Sequence, residues 1–294
     1  MTLAALIEQC ALALTQARVS FGHGTSNAAD EAAWLVLWQL GLPLDSDFTD
    51  PSINRELTDQ ESQPVQDLIK LRISSRKPAA YLTQEAWLQG VSFYVDERVI
   101  VPRSLIAEVL AKGGFDPWLS ADTHRVLDLC TGNGSLGILA ALAYPDVTVH
   151  GLDISADALS VAQINIERHG LQHRMSLFQS DGLQQAQGRF DLIVCNPPYV
   201  NAHSMSELPA EFKAEPVLAL AGGVDGMDFI KRLLKDAARH MSAHALLVLE
   251  IGHERVHFES AFPHLEVIWL STSAGDDQVL LLTRQALVAG QAVP

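Results

Sequence analysis

Residues 125–137 read RVLDLCTGNGSLG, and this stretch decides the fold that the chain is expected to adopt. Its first part, Arg125–Leu129, is a short apolar run typical of a buried strand, whereas residues 135–144 have the composition of a helix. The glycines between the two elements lie at a strand-to-helix turn, where the absence of side chains lets the backbone approach a ligand closely. The stretch therefore predicts the first strand and the ligand-binding turn of an α/β sheet.

Two further strands follow, and each ends at a carboxylate. Residues 147–152 run into Asp153, and residues 175–179 are followed by Asp181. Because ligands of open parallel sheets bind along the carboxyl ends of the strands, we expect these two acids beside the glycine turn. A carboxylate at the position of Asp153 can hold ribose hydroxyls. Asp128 lies inside the first strand, where an unpaired carboxylate would be costly, so we expect it to reach backbone amides of the turn.

The fourth strand, Phe190–Cys195, is closed by the sequence Asn-Pro-Pro-Tyr at residues 196–199. Two prolines cannot continue a strand, so the chain must turn there. The side-chain oxygen of Asn196 and the carbonyl oxygen of Pro197 can each accept one proton of a planar NH2 group, while Tyr199 packs against its plane. Two such acceptors would localise the nitrogen lone pair as the nitrogen becomes tetrahedral, so the stabilisation increases toward the transition state.

The glycine turn is compatible with two cofactors, NAD and S-adenosylmethionine. Gly132, Gly134 and Gly137 have the G-x-G-x-x-G spacing of NAD-binding turns. Nothing downstream of the turn is typical of hydride chemistry, however, and the NH2-binding fourth strand favours S-adenosylmethionine. A rigid proline turn in which Asn196 only caps the chain is the structural alternative to a functional N-P-P-Y stretch.

Strands and helices continue to alternate beyond this point, as expected for a doubly wound sheet. The remaining strands are expected at residues 245–251, 265–270 and 278–283. The last two are close in sequence, which is compatible with an antiparallel hairpin at the sheet edge. The predicted fold class is therefore α/β, with a seven-stranded, doubly wound, Rossmann-like domain at residues 102–294. It is preceded by a small helical domain at residues 1–80 and a β-hairpin linker at residues 81–101.

Composition limits the classes of function that remain. The chain has 294 residues, of which 48% are hydrophobic, and this is enough for about two domains. No apolar run is long enough to span a bilayer. Three cysteines in apolar surroundings indicate reduced thiols in a cytoplasmic protein, and neither a disulfide nor a metal site is expected. The formal net charge of −15 disfavours a long nucleic acid as substrate and suits a basic partner.

Several motifs together resemble the protein N5-glutamine methyltransferases that modify bacterial translation proteins. The motifs are DLCTGNG at 128–134, GLD at 151–153, SD at 180–181, NPPY at 196–199, FYVDERVIVPRS at 93–104, and LPAEF at 208–212 with Glu215-Pro216. The resemblance covers nearly the whole chain and is strongest from Phe93 to Asp228. It implies an S-adenosylmethionine-dependent methyltransferase domain with Asp153 on the ribose, Asp181 near the adenine, and a glutamine amide above Asn196 and Tyr199.

Within that family the chain is most similar to the branch that acts on the third protein of the large ribosomal subunit. The markers of this branch are Cys130 in the glycine motif and PRSLIAE at 102–108. The chain lacks the tryptophan that commonly follows the third-strand aspartate in the release-factor branch, having Gly182-Leu183 instead. The expected partner is a basic large-subunit ribosomal protein, with no membrane partner and no stable nucleic-acid binding. Residues 1–80 supply no glycine turn or strand-end carboxylate, so they are expected to recognise the substrate.

The resemblance and the patterns give one set of expected site residues. The expected cofactor-binding residues are Asp128, Cys130, Thr131, Gly132, Asn133, Gly134, Asp153, Ile154, Asp181, Gly182 and Asn196. The expected catalytic residues are Asn196, Pro197 and Tyr199, and the expected substrate-binding residues are Asn196, Pro197, Pro198, Tyr199 and Arg103. Arg103 either guides an acidic group or lies over the sheet with its head in water. The alternatives that remain are a release-factor methyltransferase, a methyltransferase of adenine or guanine amines, and a non-enzymatic factor that retains the fold.

Overall fold

The structure is a computed structural model, and it describes residues 1–48 and 50–291. Its chain divides into two compact units. The first unit consists of Met1–Ala86 and Leu208–Ala214, and the second consists of Trp87–Glu207 and Glu215–Pro294.

The helices and strands alternate along most of the second unit, whereas the first unit is helical. The α-helices are α1 (Leu3–Gln16), α2 (Ala28–Leu40), α3 (Asp59–Ser75), α4 (Ala79–Thr83), α5 (Leu105–Ala111), α6 (Ser135–Ala143), α7 (Ala156–Arg168), α8 (Ala202–Glu207), α9 (Ala210–Lys213), α10 (Asp228–Asp236), α11 (Arg255–Ala261) and α12 (Arg284–Gln291). The strands are β1 (Ala86–Leu88), β2 (Val91–Phe93), β3 (Arg125–Leu129), β4 (Thr148–Asp153), β5 (Met175–Gln179), β6 (Phe190–Cys195), β7 (Met241–Glu250), β8 (Ile268–Thr272) and β9 (Gly275–Thr283).

Side-chain caps define where the helices of the first unit begin. The Asn27 side chain accepts a hydrogen bond from the Asp30 amide at the start of α2. At α3, Thr58 and Glu61 form a capping box, which fixes the start of this helix at Asp59. The apolar faces of α1, α2 and α3 pack into one core, which contains Leu3, Leu6, Leu14, Leu35, Val36 and Val65.

The segment Leu208–Ala214 packs with the first unit, although the sequence analysis places it in the second domain. The side chain of Glu211 is 1% exposed and forms ion pairs with Arg72 at 3.5 Å and Arg76 at 3.1 Å. Phe212 lies against a histidine ring of the same unit, with 4.2 Å between the ring centroids. One charged and one aromatic side chain therefore anchor a segment that no local sequence pattern assigns to the helical unit.

The second unit is built on a seven-stranded sheet with the order β5-β4-β3-β6-β7-β9-β8. The first five strands in this order are parallel, whereas β9 is antiparallel to β7 and β8 is antiparallel to β9. Two hydrophobic cores cover the faces of the sheet, because neighbouring strand residues such as Val126 and Leu127 point to opposite sides. The predicted seven-stranded α/β fold with a helical N-terminal region is confirmed, and so is the antiparallel edge hairpin.

The region between the helical unit and the sheet differs from the expected hairpin at residues 81–101. Only β1 and β2 form a two-stranded sheet, and α4 occupies residues expected to be extended. Beyond β2, the Asp96 side chain accepts hydrogen bonds from the backbone amide and the guanidinium of Arg98. This local side-chain turn competes with strand pairing and ends the alternation early.

The strand order reverses between β3 and β6, which are the first and fourth strands of the sheet in the chain. Leu129 pairs with Leu152 of β4 on one side and with Cys195 of β6 on the other. In doubly wound sheets such a reversal opens a crevice beyond the carboxyl ends of the strands, and ligands bind in it. The fold therefore places the glycine turn and the N-P-P-Y stretch at adjacent strand ends beside one crevice.

Candidate active site

A cavity of about 440 Å³ lies at this crevice, and residues of the second unit line it. The expected cofactor-binding residues on its wall are Cys130, Gly132, Asp153, Ile154, Asp181 and Gly182. Asn196 and Pro198 line it from the end of β6. The structure thus brings together residues from four strand ends that are far apart in the sequence.

Gly132 forms the part of the turn that is open to the cavity. Its φ of 55° lies in the left-handed region, which favours glycine. A Cβ at this position would have no atom within 4 Å, so the turn leaves space beside its backbone. The Gly132 amide donates a 2.9 Å hydrogen bond to Oδ2 of Asp153, which fixes the turn against the end of β4.

Asp153 holds the turn and also faces the cavity. Its Oδ1 accepts a 2.9 Å hydrogen bond from the Ser155 amide. Burial raises the pKa of Asp153 above its ordinary value, and the hydrogen bonds from Ser155 and Gly132 oppose this shift. Each carboxylate oxygen has two lone pairs, so Asp153 retains capacity to accept hydrogen bonds from a ligand.

Four expected cofactor-binding residues lie behind the cavity wall. The carboxylate of Asp128, which is 1% exposed, accepts hydrogen bonds from the Thr131 hydroxyl and, at 2.9 Å, from the Gly137 amide. Asn133 is buried as well, and its side-chain oxygen accepts from the Ser135 amide at the start of α6. These residues and Gly134, the N-cap of α6, shape the turn from within, and their contact with a cofactor stays a prediction.

Asp128 reaches the first turn of α6 rather than the amides of the glycine turn itself. Burial raises the pKa of Asp128 to about 6, although its two hydrogen bonds oppose the shift. The second carboxylate oxygen, Oδ1, is buried without a hydrogen-bond partner. A buried carboxylate with one unpaired oxygen is costly to ionise, which accounts for the direction of the shift.

Cys130 lies on the cavity wall, and its thiol neighbours the thiol of Cys195. Interaction with the Cys195 thiol, and then burial, raise the pKa of Cys130 well above its ordinary value. Cys130 is therefore a neutral thiol, and neutral thiols are poor nucleophiles. The arrangement does not support covalent catalysis by this residue.

Asp181 lies on the cavity wall and forms an ion pair. Both carboxylate oxygens accept from the Arg232 guanidinium, at 3.0 and 3.1 Å. Arg232 also lies over the ring of Phe229, which lines the cavity opposite Gly182. This part of the cavity wall therefore presents an aromatic surface beside a charged pair.

The N-P-P-Y stretch contributes an amide to the cavity. None of the hydrogen bonds of the described residues involves the side-chain amide of Asn196, which is left to interact with a ligand. Pro197 is buried beneath it, and Pro198 reaches the cavity wall. The turn after β6 thus presents an unpaired amide on a conformationally restricted backbone.

Tyr199 lies beside the cavity wall rather than on it. Its hydroxyl donates a 3.2 Å hydrogen bond to Oε1 of Glu250, the last residue of β7. Burial, and then the neighbouring Glu250 carboxylate, raise the pKa of Tyr199, so the phenol stays protonated. Packing of this ring against a substrate amide stays a prediction.

Arg103 is paired within the chain. Its guanidinium donates two hydrogen bonds to Glu215, at 2.6 and 2.7 Å, and the Glu215 side chain is fully buried. Glu215 also accepts a 2.9 Å hydrogen bond from the Val101 amide. The acidic group that Arg103 engages in this structure is therefore Glu215, and contact of Arg103 with substrate stays a prediction.

Glu215 lies in a motif that carries the resemblance but has no expected site role, and three further residues that shape the site, Phe229, Glu250 and Asn165, are not among the expected site residues. The Asn165 side chain donates hydrogen bonds to the carbonyl oxygens of Asn133 and Tyr94, which ties the glycine turn to the segment after β2. Only Glu250 has a local signal, since it is a carboxylate at a strand end next to β6. The others depend on contacts more than 30 residues apart in the chain.

The residues on the cavity wall fit the chemistry of S-adenosylmethionine. The Asp153 carboxylate beside the open glycine turn suits ribose hydroxyls, and the surface formed by Phe229 and Ile154 suits a flat base. In the described ranges, no group of three or more His, Cys, Asp or Glu side chains is arranged to hold a metal ion. Among these same residues, no helix is both long and apolar enough to cross a membrane.

The domain family described as "Methyltransferase small domain" matches residues 107–223. A ribosomal protein uL3 glutamine methyltransferase from Bordetella pertussis is 52% identical over 289 residues, which cover 97% of this chain and 96% of that protein. A protein of the same description from Burkholderia pseudomallei is 48% identical over 295 residues, covering 97% of this chain and 95% of that protein. The similarity to both proteins therefore extends over both units of this chain.

One solved structure with a similar fold is the hMettl16 catalytic domain in complex with the MAT2A 3'UTR hairpin 1. It matches with a TM-score of 0.52 and 14% sequence identity, covering 80% of this chain and 84% of that chain. At this level of identity the likeness shows the fold alone.

Proposed function

This chain belongs to the family of ribosomal protein uL3 glutamine methyltransferases, and we propose that it transfers a methyl group from S-adenosylmethionine to the side-chain amide nitrogen of a glutamine in ribosomal protein uL3. The observation that carries the proposal is the unpaired amide of Asn196 on the cavity wall at the end of β6. The relatives do not favour a release factor or a nucleic-acid base as the acceptor.

Asn196 and Pro197 would bind the acceptor amide. An amide nitrogen is a poor nucleophile because its lone pair is delocalised into the carbonyl group. The Asn196 side-chain oxygen and the Pro197 carbonyl oxygen would each accept one proton of the substrate NH2 group. Both hydrogen bonds strengthen as the nitrogen becomes tetrahedral, so they stabilise the transition state more than the bound substrate.

The glycine turn and the strand-end carboxylates would hold the cofactor. When bound, S-adenosylmethionine supplies an electrophilic methyl group on a sulfonium centre. Asp153 would accept hydrogen bonds from the ribose hydroxyls, and Asp181 and Phe229 would lie near the adenine. Because the amide nitrogen attacks in line, the positions of these groups would supply much of the rate by orientation.

No protein base is assigned to the reaction. Once methylated, the amide nitrogen is strongly acidic and loses its proton to water. Glu250, a buried carboxylate close to the N-P-P-Y stretch, already accepts hydrogen bonds from Ser104, the Leu105 amide and Tyr199. The chain would therefore bind and orient the substrate amide without taking its proton.

The substrate-binding surface is proposed to include the helical unit. The cavity wall is built from the second unit, so the first unit supplies no expected cofactor contact. Choosing one glutamine in one protein requires surface beyond the reacting group. A basic ribosomal protein suits the net charge of −15, and a cytoplasmic location and an absence of stable nucleic-acid binding belong to the same proposal.

A transfer assay with separate acceptors tests this function. The protein is incubated with methyl-labelled S-adenosylmethionine and either purified uL3, a peptide-chain release factor or ribosomal RNA. We expect label in uL3, and peptide mass spectrometry should locate it on the amide of a glutamine. Label that enters the release factor or the RNA, while uL3 stays unlabelled, would refute the proposed substrate.

A further inference from the structure

Glu250 is a buried acidic group next to the N-P-P-Y stretch. It is 3% exposed and ends β7, the neighbour of β6 in the sheet. Cys195 pairs with Leu249, so the next residues along the two parallel strands are Asn196 and Glu250. The carboxylate therefore lies beside the strand end that carries the proposed acceptor site.

The two oxygens of Glu250 have different partners. Oε2 accepts hydrogen bonds from the Ser104 hydroxyl and, at 2.9 Å, from the Leu105 amide at the start of α5. Oε1 accepts the 3.2 Å hydrogen bond from the Tyr199 hydroxyl. One oxygen thus caps a helix, and the other holds an aromatic side chain of the N-P-P-Y stretch.

The ring of Tyr199 also lies close to the backbone of Gly252. Gly252 has a φ of 54°, and a Cβ there would lie 2.4 Å from Cε2 of Tyr199. The backbone next to the ring is also fixed, because the Val200 amide donates to the Leu220 carbonyl at 2.9 Å. Tyr199 therefore links Glu250 to the backbone that carries Pro197 and Pro198.

We infer that Glu250 is a positioning residue for methyl transfer, which holds the Tyr199 ring and thereby sets the orientation of the N-P-P-Y backbone. This inference rests on the proposed function, because the groups that it positions are the proposed acceptors of the substrate amide. A rotation of the turn would move the Pro197 carbonyl and the Asn196 side chain together. Loss of the Tyr199 hydrogen bond should therefore reduce turnover more than cofactor binding.

Three substitutions separate this role from capping of α5. Tyr199→Phe keeps the ring and removes only the hydrogen bond to Oε1. Ser104→Ala removes the side-chain hydrogen bond to Oε2. Glu250→Gln removes the negative charge that both sets of hydrogen bonds, those to Oε1 and those to Oε2, depend on. A matched control is Tyr94→Phe, which removes a 2.9 Å tyrosine–carboxylate hydrogen bond outside the cavity.

Steady-state kinetics with uL3 provide the first test. Tyr199→Phe and Glu250→Gln should each lower kcat about tenfold, the loss expected for one positioning hydrogen bond, with little change in KM for S-adenosylmethionine. The double variant Tyr199→Phe/Glu250→Gln should be no slower than the slower of its two single variants, because Tyr199 and Glu250 act as one unit. Ser104→Ala should lower the thermal stability and leave kcat unchanged. Tyr94→Phe should leave both the thermal stability and kcat unchanged. Equal losses of kcat in Ser104→Ala and Tyr199→Phe, or additive losses in the double variant, would overturn the inference.

A second test needs no substrate, so it shows whether Glu250 holds the Tyr199 ring even if wild-type protein fails to methylate uL3, and it thereby distinguishes a failure of this inference from a failure of the proposed function. The chain has four tyrosines, and with ¹³Cζ-labelled tyrosine the resonance lost in Tyr199→Phe identifies Tyr199. Glu250→Gln should shift this resonance because the phenol loses its charged acceptor, whereas Ser104→Ala should move it much less. An unchanged Tyr199 resonance in Glu250→Gln would show that Glu250 does not hold the ring.

Discussion

Asp128 is a buried carboxyl group whose ionisation is linked to folding. Burial raises its pKa to about 6 from an ordinary value of 3.8, so the folded chain keeps a proton that the unfolded chain has released. Folding stability from this group is therefore complete below pH 3.8 and decreases as the pH rises toward 6. The proton on Asp128 also removes the cost of the unpaired buried oxygen.

We predict that the difference in unfolding free energy between wild type and Asp128→Asn depends on pH. The wild type should lose about 3 kcal/mol relative to the variant as the pH rises from below 3.8 to above 6. Asparagine can still accept from the Thr131 hydroxyl and the Gly137 amide, and it does not ionise. Urea unfolding at a series of pH values measures this difference. A difference that stays constant, or that changes in favour of the wild type as the pH rises, would contradict the assignment.

Asp153 has a proposed role in cofactor binding that a second substitution can test. Asp153→Ala should weaken binding of S-adenosylmethionine by roughly 1.5–3 kcal/mol, because the ribose hydroxyls lose a charged acceptor and the Gly132 amide loses its partner. Calorimetry measures the dissociation constant. Asp157→Ala is the matched control, since it removes the same charge from an exposed position four residues along the chain, and it should leave the affinity unchanged. Unchanged affinity in Asp153→Ala would make this residue purely structural.

At the scale of elements, a buried charge cluster joins helices α2 and α3 with the segment Leu208–Ala214. Arg72 of α3 is fully buried and forms ion pairs with Glu31 of α2 and with Glu211. Burial raises the pKa of Glu31, and the Arg72 charge opposes this shift. Removal of the arginine would leave Glu31 buried without its cation, and such losses are strongly destabilising.

Arg72→Ala should therefore destabilise the helical unit by about 3–5 kcal/mol. Thermal unfolding followed by circular dichroism measures the loss. The matched control is Arg55→Ala, which breaks an exposed ion pair with Glu61 in the same unit and should change the unfolding temperature little. Similar unfolding temperatures for the two variants would show that the buried cluster contributes no more than a surface pair.

The strands show which elements can be predicted from local sequence. The expected bounds of β3, β5 and β6 are those found in the structure, because each is an apolar run closed by a glycine turn, a polar residue or prolines. The strand expected at residues 245–251 begins earlier, at Met241, which pairs with Phe190 of β6 ahead of a shift in the register between the two strands. The hydrophobic pattern of the sequence predicts the buried residues of a strand, but it does not predict the more exposed residues near its start.

For the site as for the strands, only the part with a local sequence pattern could be predicted. The residues predicted from strand ends, such as Asp153, Asp181 and Asn196, all reach the cavity. The residues that support them depend on distant contacts, and neither periodicity nor motif spacing contains those distances. Arg103 illustrates this limit, because its partner Glu215 lies 112 residues away in the chain.

At the scale of the whole molecule, the excess of acidic over basic side chains suits a basic substrate. Attraction between charged proteins is screened by salt, since the Debye length falls from about 10 Å at 0.1 M to about 3 Å at 1 M ionic strength. We predict that KM for uL3 increases with sodium chloride concentration, while kcat changes little. An uncharged peptide that contains the same glutamine is the control, and its KM should not respond to salt. A KM for uL3 that is independent of salt would exclude electrostatic recognition of the substrate.

The central claim is that the chain methylates a glutamine amide held by Asn196. The most direct test is the single-turnover rate of methyl transfer to uL3 by Asn196→Ala, measured together with its affinity for S-adenosylmethionine. Asn201→Ala is the matched control, because Asn201 lies on the same segment and bonds to Glu254 away from the cavity. We predict that Asn196→Ala abolishes transfer and binds the cofactor almost as tightly as wild type, whereas Asn201→Ala remains active. Transfer by Asn196→Ala at a rate close to that of the wild type would contradict the account.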